Sequence, residues 1–267
     1  RPPRSTLFPY TTLFRSIPKE RQARGAFNGG EIVENKPIGF PREGGIIRPY
    51  SNLFYWAYAE AKVDSTIGLH PHEGFEIMSF VLKGHIKHFD TQLKQWRPLH
   101  EGDAQIIRAG NGISHSEFVA KDGAIFQIWF DPNLNKTLQQ PASYDDYKSA
   151  DLPVSQDGDV AVKTYIGNSS PIELDTEGLE IQQLSFEKAH WEKALSTGHV
   201  YSLYVQEGQF SINGEAVKAD DFVIVKDADQ LNIDSDVPGK IFLISSPKRP
   251  SYMTYSEMMQ QRMGAAH

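Results

Sequence analysis

The sequence predicts an all-β fold of two similar halves, followed by a short C-terminal helix. Short alternating or wholly apolar runs recur about every 8 to 12 residues, which is typical of sandwiches and barrels. The two halves repeat one order of strands and turns, and no long stretch between the runs has the helical period of 3.6 residues. The 267 residues suffice for one large all-β domain or for two small domains with separate cores.

The predicted strands are rich in β-branched and aromatic residues and are separated by Gly, Pro, Asn and Asp. In the first half they lie at 53–59, 75–82, 85–89, 104–109, 116–120 and 124–130. In the second half they lie at 160–167, 179–186, 200–206, 209–213, 221–225 and 240–245. The polar stretch 131–157 between the halves holds few residues that could form a core. We interpret it as an inter-domain connection with room for one short helix.

Matching segments in the two halves indicate an internal duplication. LKGHI at 82–86 matches VQEGQF at 205–210, and EGDAQII at 101–107 matches ADDFVIV at 219–225. Such a repeat predicts two β-barrels in tandem. The tail differs, because residues 256–263 are rich in helix formers and are followed by Gly264. A short C-terminal helix, with its Met residues packed on a barrel, is therefore expected.

Composition excludes several kinds of site and partner. The chain has no Cys, which excludes disulfides, thiolate zinc sites, iron–sulfur clusters and Cys nucleophiles. The formal net charge of −7 argues against direct nucleic-acid binding as the main function. No apolar run approaches the roughly 20 residues that a membrane span requires. Together these features lead us to expect a cytoplasmic protein without a membrane or nucleic-acid partner.

The first sixteen residues are excluded from fold reasoning. Residues 6–16, TLFPYTTLFRS, match the translation of a widely used sequencing-adapter oligonucleotide. We therefore interpret residues 1–16 as an adapter-derived leader that is not native; the alternative is a genuine leader rich in Arg and Thr. The residues that follow, 17–27, lack the apolar core of a signal peptide.

Two pairs of polar residues could hold a metal ion. In HPHEGFE, residues 70–76, His70 and His72 face the same side of a strand, and Glu76 shares their parity if the strand runs straight. In GNGISHSE, residues 110–117, His115 and Glu117 form a second such pair. Three imidazoles and a carboxylate suit Fe(II), Mn(II), Ni(II), Cu(II) or Zn(II), rather than Ca(II) or Mg(II). By itself a His-x-His pattern is more typical of a surface strand.

These motifs carry a resemblance to the pirin family of the cupin superfamily. HPHEGFE, GHIKHFD, EGD and AGNGISHSE resemble that family, as does KPIGFPREGG at 36–45. The resemblance covers about residues 30–247 and is strongest over 67–117. It implies a bicupin, that is, two tandem antiparallel jelly-roll-like cupin barrels. It also implies one mononuclear metal ion in the first barrel, with iron favoured and Mn, Ni, Cu or Zn left open. The implied ligands are His70, His72, His115 and Glu117.

The resemblance and the strand pattern together predict the domain organisation. The leader at 1–16 is followed by a metal-binding cupin barrel at 17–135, a connection at 136–158, a metal-free cupin barrel at 159–247 and a helical tail at 248–267. The second barrel is expected to be metal-free because its only histidines, His190 and His199, do not form a His-x-His pair.

Two carboxylates compete for the acidic role at the site. Many other cupins use the Glu a few residues after His-x-His, which here is Glu76. The pirin pattern assigns the ligand to Glu117, which shares a strand face with His115, and this residue is also a candidate proton acceptor. Glu76 would then orient a ligand imidazole or a bound water, or it would be only a satisfied carboxylate in the barrel mouth. His88, next to Asp90, is predicted to make a structural hydrogen bond near a turn.

The resemblance implies two alternative functions. Some pirin-like proteins open flavonols such as quercetin with O2, so a small aromatic substrate and O2 are the expected partners of a dioxygenase. Other pirin-like proteins are metal- and redox-dependent regulators that bind protein partners without catalysis. An enzyme needs an open channel to the metal, whereas a regulator needs an exposed patch near it.

Overall fold

The computed structural model describes residues 13–40 and 42–264, and almost all of its regular elements are antiparallel strands. Residues 1–12, most of the predicted leader, lie outside the described part. The strands of the first half are β1 (Leu13–Ile17), β2 (Ala23–Phe27), β3 (Ile32–Ile38), β4 (Leu53–Ala61), β5 (Ser65–His72), β6 (Glu76–Lys83), β7 (His85–Asp90), β8 (Arg97–His100), β9 (Ala104–Arg108), β10 (Ile113–Val119), β11 (Ala124–Phe130) and β12 (Ser143–Tyr147).

The second half continues in the same way. Its strands are β13 (Val154–Asp157), β14 (Val160–Ile166), β15 (Glu180–Phe186), β16 (Ala189–Ala194), β17 (His199–Glu207), β18 (Gln209–Ile212), β19 (Glu215–Lys218), β20 (Phe222–Lys226), β21 (Gln230–Ser235) and β22 (Gly239–Pro247). The helices are α1 (Leu134–Thr137) and α2 (Tyr255–Gly264), with single 3-10 turns at Lys19–Arg21, Asn28–Gly30 and Ser149–Asp151. Within the described residues, neither α-helix is long and apolar enough to span a membrane.

Each of the two barrels consists of one seven-stranded and one four-stranded sheet. The first barrel has the orders β12-β9-β6-β11-β4-β3-β2 and β5-β10-β7-β8. The second has β1-β20-β17-β22-β15-β14-β13 and β16-β21-β18-β19. This arrangement confirms the predicted all-β fold of two tandem antiparallel barrels with a short C-terminal helix. The connection at 136–158 adds an edge strand to each barrel, β12 on β9 and β13 on β14.

The N-terminal segment lies on the second barrel. Strand β1 pairs with β20 along its whole length, and its last residue, Ile17, is fully buried. After β1, Lys19 binds Asp220 at 2.7 Å and Gln22 donates to the carbonyl of Asp220 at 2.7 Å. Residues 17–22, expected in the first barrel, therefore contact the second. Residues 13–16 fall within the predicted leader, whose origin stays a prediction.

Equivalent turns show the duplication that the sequence predicts. Gly84 joins β6 to β7 and Gly208 joins β17 to β18, both with positive φ. Asp103 accepts a hydrogen bond from the backbone N–H of the residue three positions earlier, and Asp221 does the same, each at 3.0 Å. The matching segments thus form the same hairpin and the same acidic turn in each barrel.

Three kinds of core hold these sheets together. Between the two seven-stranded sheets, aromatic side chains from both halves interlock, including Trp56, Phe126, Tyr204, Phe222 and Phe242. The second barrel is filled with apolar side chains. In the first barrel, two apolar clusters lie apart from each other. The layer between those clusters is polar, and it contains the candidate site.

A capping box starts the C-terminal helix. Thr254 and Glu257 exchange hydrogen bonds: the backbone N–H of Thr254 donates to Glu257 Oε2 at 2.8 Å, and the N–H of Glu257 donates to Thr254 Oγ1 at 3.3 Å. The N–H of Tyr255 donates to Asp131 Oδ2 at 2.6 Å, which fixes the helix to the end of the first barrel. The Tyr255 ring packs on Phe54 and Phe75.

Candidate metal centre

Three imidazoles converge where β5 pairs with β10. The register sets His115 opposite His70 and Ile113 opposite His72, so the three histidines share the inner face. The Nε2 atom of His115 lies 2.9 Å from that of His70 and 3.0 Å from that of His72. His115 is fully buried, whereas His70 and His72 are half-buried and close the barrel mouth. The expected convergence of these three histidines is thus present in the structure.

The surroundings of His72 and His115 favour the neutral imidazole, which is the form that binds a metal ion. Burial, reinforced by the charges of His115 and His70, lowers the pKa of His72 to about 3. Burial, together with His70 and His88, holds the pKa of His115 well below its usual range. The Nδ1 of His70 lies 2.7 Å from the carbonyl oxygen of Gly68; a hydrogen bond from Nδ1–H there leaves Nε2 with a free lone pair. Converging neutral Nε2 atoms suit a divalent transition-metal ion.

Glu117 lies deeper in the barrel and is held by three donors. Its Oε1 accepts from Ser79 Oγ and from Gln105 Nε2, both at 2.9 Å, and its Oε2 accepts from Gln127 Nε2 at 2.5 Å. Glu117, His115 and His88 form a second set whose ligand atoms all lie within 4.8 Å of one another. His115 therefore links the carboxylate to the histidines at the mouth. The ligand role of Glu117 stays a prediction.

The sequence patterns do not predict the three donors to Glu117. Ser79, Gln105 and Gln127 are single polar residues inside apolar strands, and each points into the first barrel between the two apolar clusters. Tyr144 donates to Gln105 Oε1 at 3.2 Å, and Trp129 donates to Gln127 Oε1 at 3.2 Å, which extends the network. The sequence feature that could have indicated each donor is a single polar residue at an inward-facing position of an apolar strand.

His88 makes the predicted hydrogen bond, and it also belongs to the polar layer. Its Nε2 lies 2.8 Å from Asp90 Oδ2, and both side chains are fully buried. Asp90 Oδ1 accepts from the backbone N–H groups of residues 92 and 93, as expected near a turn. The His88 ring stacks on Tyr144 at 4.1 Å and lies 5.6 Å from the His115 ring.

Glu76 does not join the histidines. Its carboxylate accepts from Asp175 N at 2.7 Å, Thr176 N at 2.8 Å and Thr176 Oγ1 at 2.6 Å, all in the second half. The parity argument is wrong here because the strand does not run straight: the chain turns at Gly74, where φ is +77°, and passes from β5 in one sheet to β6 in the other. The described contacts give Glu76 no orienting role at the site.

An aromatic wall and an open cavity flank the histidines. The Trp129 ring meets His72 edge-on at 4.7 Å, and it packs in turn against Phe75 and Phe40. A cavity of about 530 Å³ opens beside His72, lined also by Glu73, Thr91, Ser114 and the apolar Pro71 and Ile113. A small ligand thus has access to His72 from the cavity, and an aromatic cluster packs against the same histidine.

Comparison with known proteins agrees with this geometry. Residues 48–130 match the Pirin family model. A Vibrio cholerae relative, provisionally named a quercetin 2,3-dioxygenase, is 24% identical over 92% of this chain and 93% of its own length. Pirin-1 of Arabidopsis thaliana is 30% identical over 61% of this chain and 60% of its own. The chain is thus similar to proteins of the pirin family.

Solved structures show the same fold. A bacterial pirin of Escherichia coli in complex with nickel(II) superposes with a TM-score of 0.73 at 18% identity, over 88% of this chain and 99% of that chain. A quercetin 2,3-dioxygenase of Acinetobacter baumannii superposes with a TM-score of 0.75 at 18% identity, over 95% and 88%. At these identities the likeness concerns the bicupin fold alone.

Proposed function

We propose that this pirin-like protein is a mononuclear metal-dependent dioxygenase that opens flavonols such as quercetin with O2 in the cytoplasm. The observation that carries the proposal is the convergence of the three imidazole Nε2 atoms beside an open cavity. The quercetin 2,3-dioxygenase names of the relatives from Vibrio cholerae and Acinetobacter baumannii support the choice of substrate.

His70, His72 and His115 would hold the metal ion, with Glu117 as the fourth ligand. Iron is the metal we favour, and Mn, Ni, Cu and Zn also suit these nitrogen and oxygen donors. Such an ion would act as a Lewis acid toward the substrate oxygen, and it would bring O2 next to the substrate.

Glu117 would accept the proton of the flavonol hydroxyl. Two donors occupy Oε1 and one occupies Oε2, so one lone pair of Oε2 remains; it would bind the metal ion or accept the proton, but not both at the same time. The donors Ser79, Gln105 and Gln127 fix the carboxylate plane, so the group does not have to reorient during the reaction. Because Glu76 is held by residues 175–176, we assign it no step.

The mouth residues would orient the substrate rings. Trp129 and Phe75 present aromatic surface next to His72, against which a flat flavonol can pack. In the overall reaction both atoms of O2 enter the ring-opened product, and one ring carbon leaves as carbon monoxide.

A second candidate function, that of a metal-dependent regulator, is supported by two exposed apolar side chains at the sheet that carries the histidines. Leu69, next to His70, is 58% exposed, and Trp96, which packs on Phe89 of β7, is 46% exposed. Exposed apolar side chains are what such a regulator would use to bind a protein partner.

Turnover of the metal-loaded protein separates the two candidates. The dioxygenase proposal predicts quercetin-dependent O2 uptake with one CO released per O2, and a loss of both in His115→Ala. His190→Ala is the control, because His190 lies on the surface between Asp234 and Glu192. Bound metal without turnover of any flavonol would favour the regulator.

A further inference from the structure

A second cavity, the inter-barrel cleft, lies where the two barrels face each other. It has a volume of about 420 Å³, and neither the three histidines nor Glu117 lines it. Its walls come from β4, β6 and β11 of the first barrel and from β14, β15, β17 and β22 of the second. It is large enough for a small metabolite, and the proposed dioxygenase chemistry makes no use of it.

Three lysines from the two barrels line this cleft. Lys83 ends β6 of the first barrel, while Lys163 and Lys240 belong to β14 and β22 of the second. The side chain of Lys83 has no hydrogen bond or ion pair with any described residue. Lys240 pairs with Glu207 at 2.8 Å in a partly exposed contact, which contributes little to stability. The lining also includes the carboxylates of Glu101 and Glu207, so three ammonium groups outnumber two carboxylates there. The chain as a whole, by contrast, has a net charge of −7.

Lys163 is half-buried and has only neutral hydrogen-bond partners. Its Nζ donates to the carbonyl of Gly102 and to Ser149 Oγ, each at 2.7 Å. Burial lowers its pKa, and the nearby charge of Asp103 offsets this in part without an ion pair. An ammonium group has three N–H donors, so one remains for an acceptor that a ligand supplies. A bound anion would also offset the cost of keeping this charge out of water.

Neutral donors lie beside the lysines. The hydroxyl of Tyr58 and the side-chain amide of Gln183 line the cleft, and neither has a hydrogen-bond partner among the described residues. Charged and neutral donors that face one enclosed space are the arrangement that recognises an oxyanion.

The geometry points to a second ligand site: the inter-barrel cleft binds a small molecule that carries a phosphate or carboxylate group, held by Lys83, Lys163 and Lys240. The ligand would bridge the two barrels, because its ammonium partners come from both. This site is independent of the metal centre and of the proposed dioxygenase activity.

Calorimetric titration with inorganic phosphate and, separately, with succinate at constant ionic strength tests the site and tells the two anion classes apart. The cleft variant is Lys83→Gln with Lys240→Gln. The control variant, Lys121→Gln with Lys188→Gln, removes the same charge from one exposed unpaired lysine and one exposed ion pair with Asp236. His115→Ala, which removes a predicted metal ligand, reports any binding of the anion to the metal.

We expect saturable binding of at least one anion at one site per chain. The affinity should fall about tenfold or more in the cleft variant and stay within about twofold in the control and in His115→Ala. Three results would overturn the proposal: no saturable binding of either anion up to about 10 mM, equal weakening in both double variants, or loss of binding in His115→Ala.

Discussion

The Nε2 atoms of His70 and His115 lie 2.9 Å apart, although the residues are 45 positions apart in the sequence. The pairing of β5 with β10 brings them together and adds His72 at a similar distance. Two ring nitrogens this close repel each other strongly when both rings are protonated, and burial strengthens the effect. The cluster therefore favours neutral rings and a shared cation.

Acid should destabilise the metal-free protein through His72. Its pKa of about 3 in the folded state lies below the usual value of 6.5, so the unfolded chain binds the proton more tightly, and the free energy of unfolding falls as the pH drops from about 6.5 toward 3. His72→Gln removes this contribution to the pH dependence of the free energy of unfolding. Urea unfolding of both proteins in EDTA at several pH values should show a shallower loss in the variant; parallel curves would contradict the assignment.

Glu117→Gln should weaken metal binding and abolish flavonol turnover. The amide cannot accept a proton, and its NH2 group meets one of the donors from Ser79, Gln105 or Gln127. We expect a stability loss of about 1–3 kcal/mol from the mismatched group. Metal titration, turnover and chemical unfolding measure the three effects. Wild-type turnover in this variant would exclude Glu117 as the proton acceptor.

Gln105→Leu should lower metal affinity without removing a ligand. Gln105 donates to Glu117 Oε1 and accepts from Tyr144, so its loss frees the carboxylate to move and leaves the Tyr144 hydroxyl unpaired. Loss of such an orienting partner costs about 10- to 100-fold in metal affinity. Competition with a chelator measures the affinity. Gln183→Leu, in the inter-barrel cleft, is the matched control and should keep wild-type affinity.

Glu76→Gln should affect stability and leave metal content unchanged. The three donors from Asp175 and Thr176 would lose a carboxylate, and one would face an amide NH2 group instead, at a cost of about 1–3 kcal/mol. Thermal unfolding and metal analysis report the two properties separately. A selective loss of metal at unchanged stability would restore the role that strand parity suggested.

Rising pH should lower the stability of the folded protein through the buried carboxyl group of Asp131. Burial raises the pKa of Asp131 to about 7, so the folded state holds the proton more tightly than the unfolded chain does. This contribution is complete below about pH 4 and is lost as the pH rises through 7. Asp131→Asn mimics the protonated form. The variant should match the wild type near pH 4 and be the more stable protein at pH 8; equal stability at both pH values would disprove the assignment.

Local patterns predicted the strands and the histidines well. The run at 124–130 matches β11 residue for residue, and His70, His72 and His115 meet because alternation along a strand is a strong constraint. The sequence predicts only a connection at 136–158, where the structure has the polar edge strands β12 and β13. The residues of β12 are mostly half-buried and those of β13 are exposed, so no buried apolar pattern marks either strand.

Long-range pairing was beyond local reasoning. Nothing in residues 13–22 indicates a partner some 200 positions away, yet β1 lies on β20 and Lys19 binds Asp220. Strand parity wrongly predicts that Glu76 faces the histidines, because the turn at Gly74 moves the chain from one sheet to the other. The clamp on Glu117 comes from three strands, and only the closed barrel brings Ser79, Gln105 and Gln127 together.

Metal analysis of the protein purified without oxygen tests the central claim most directly. We predict about one metal ion per chain in the wild type, almost none in His115→Ala, and a wild-type amount in His190→Ala. Circular dichroism confirms that all three proteins are folded. A folded wild type without metal, or a His115→Ala variant that keeps its metal, would contradict the assignment of the three histidines.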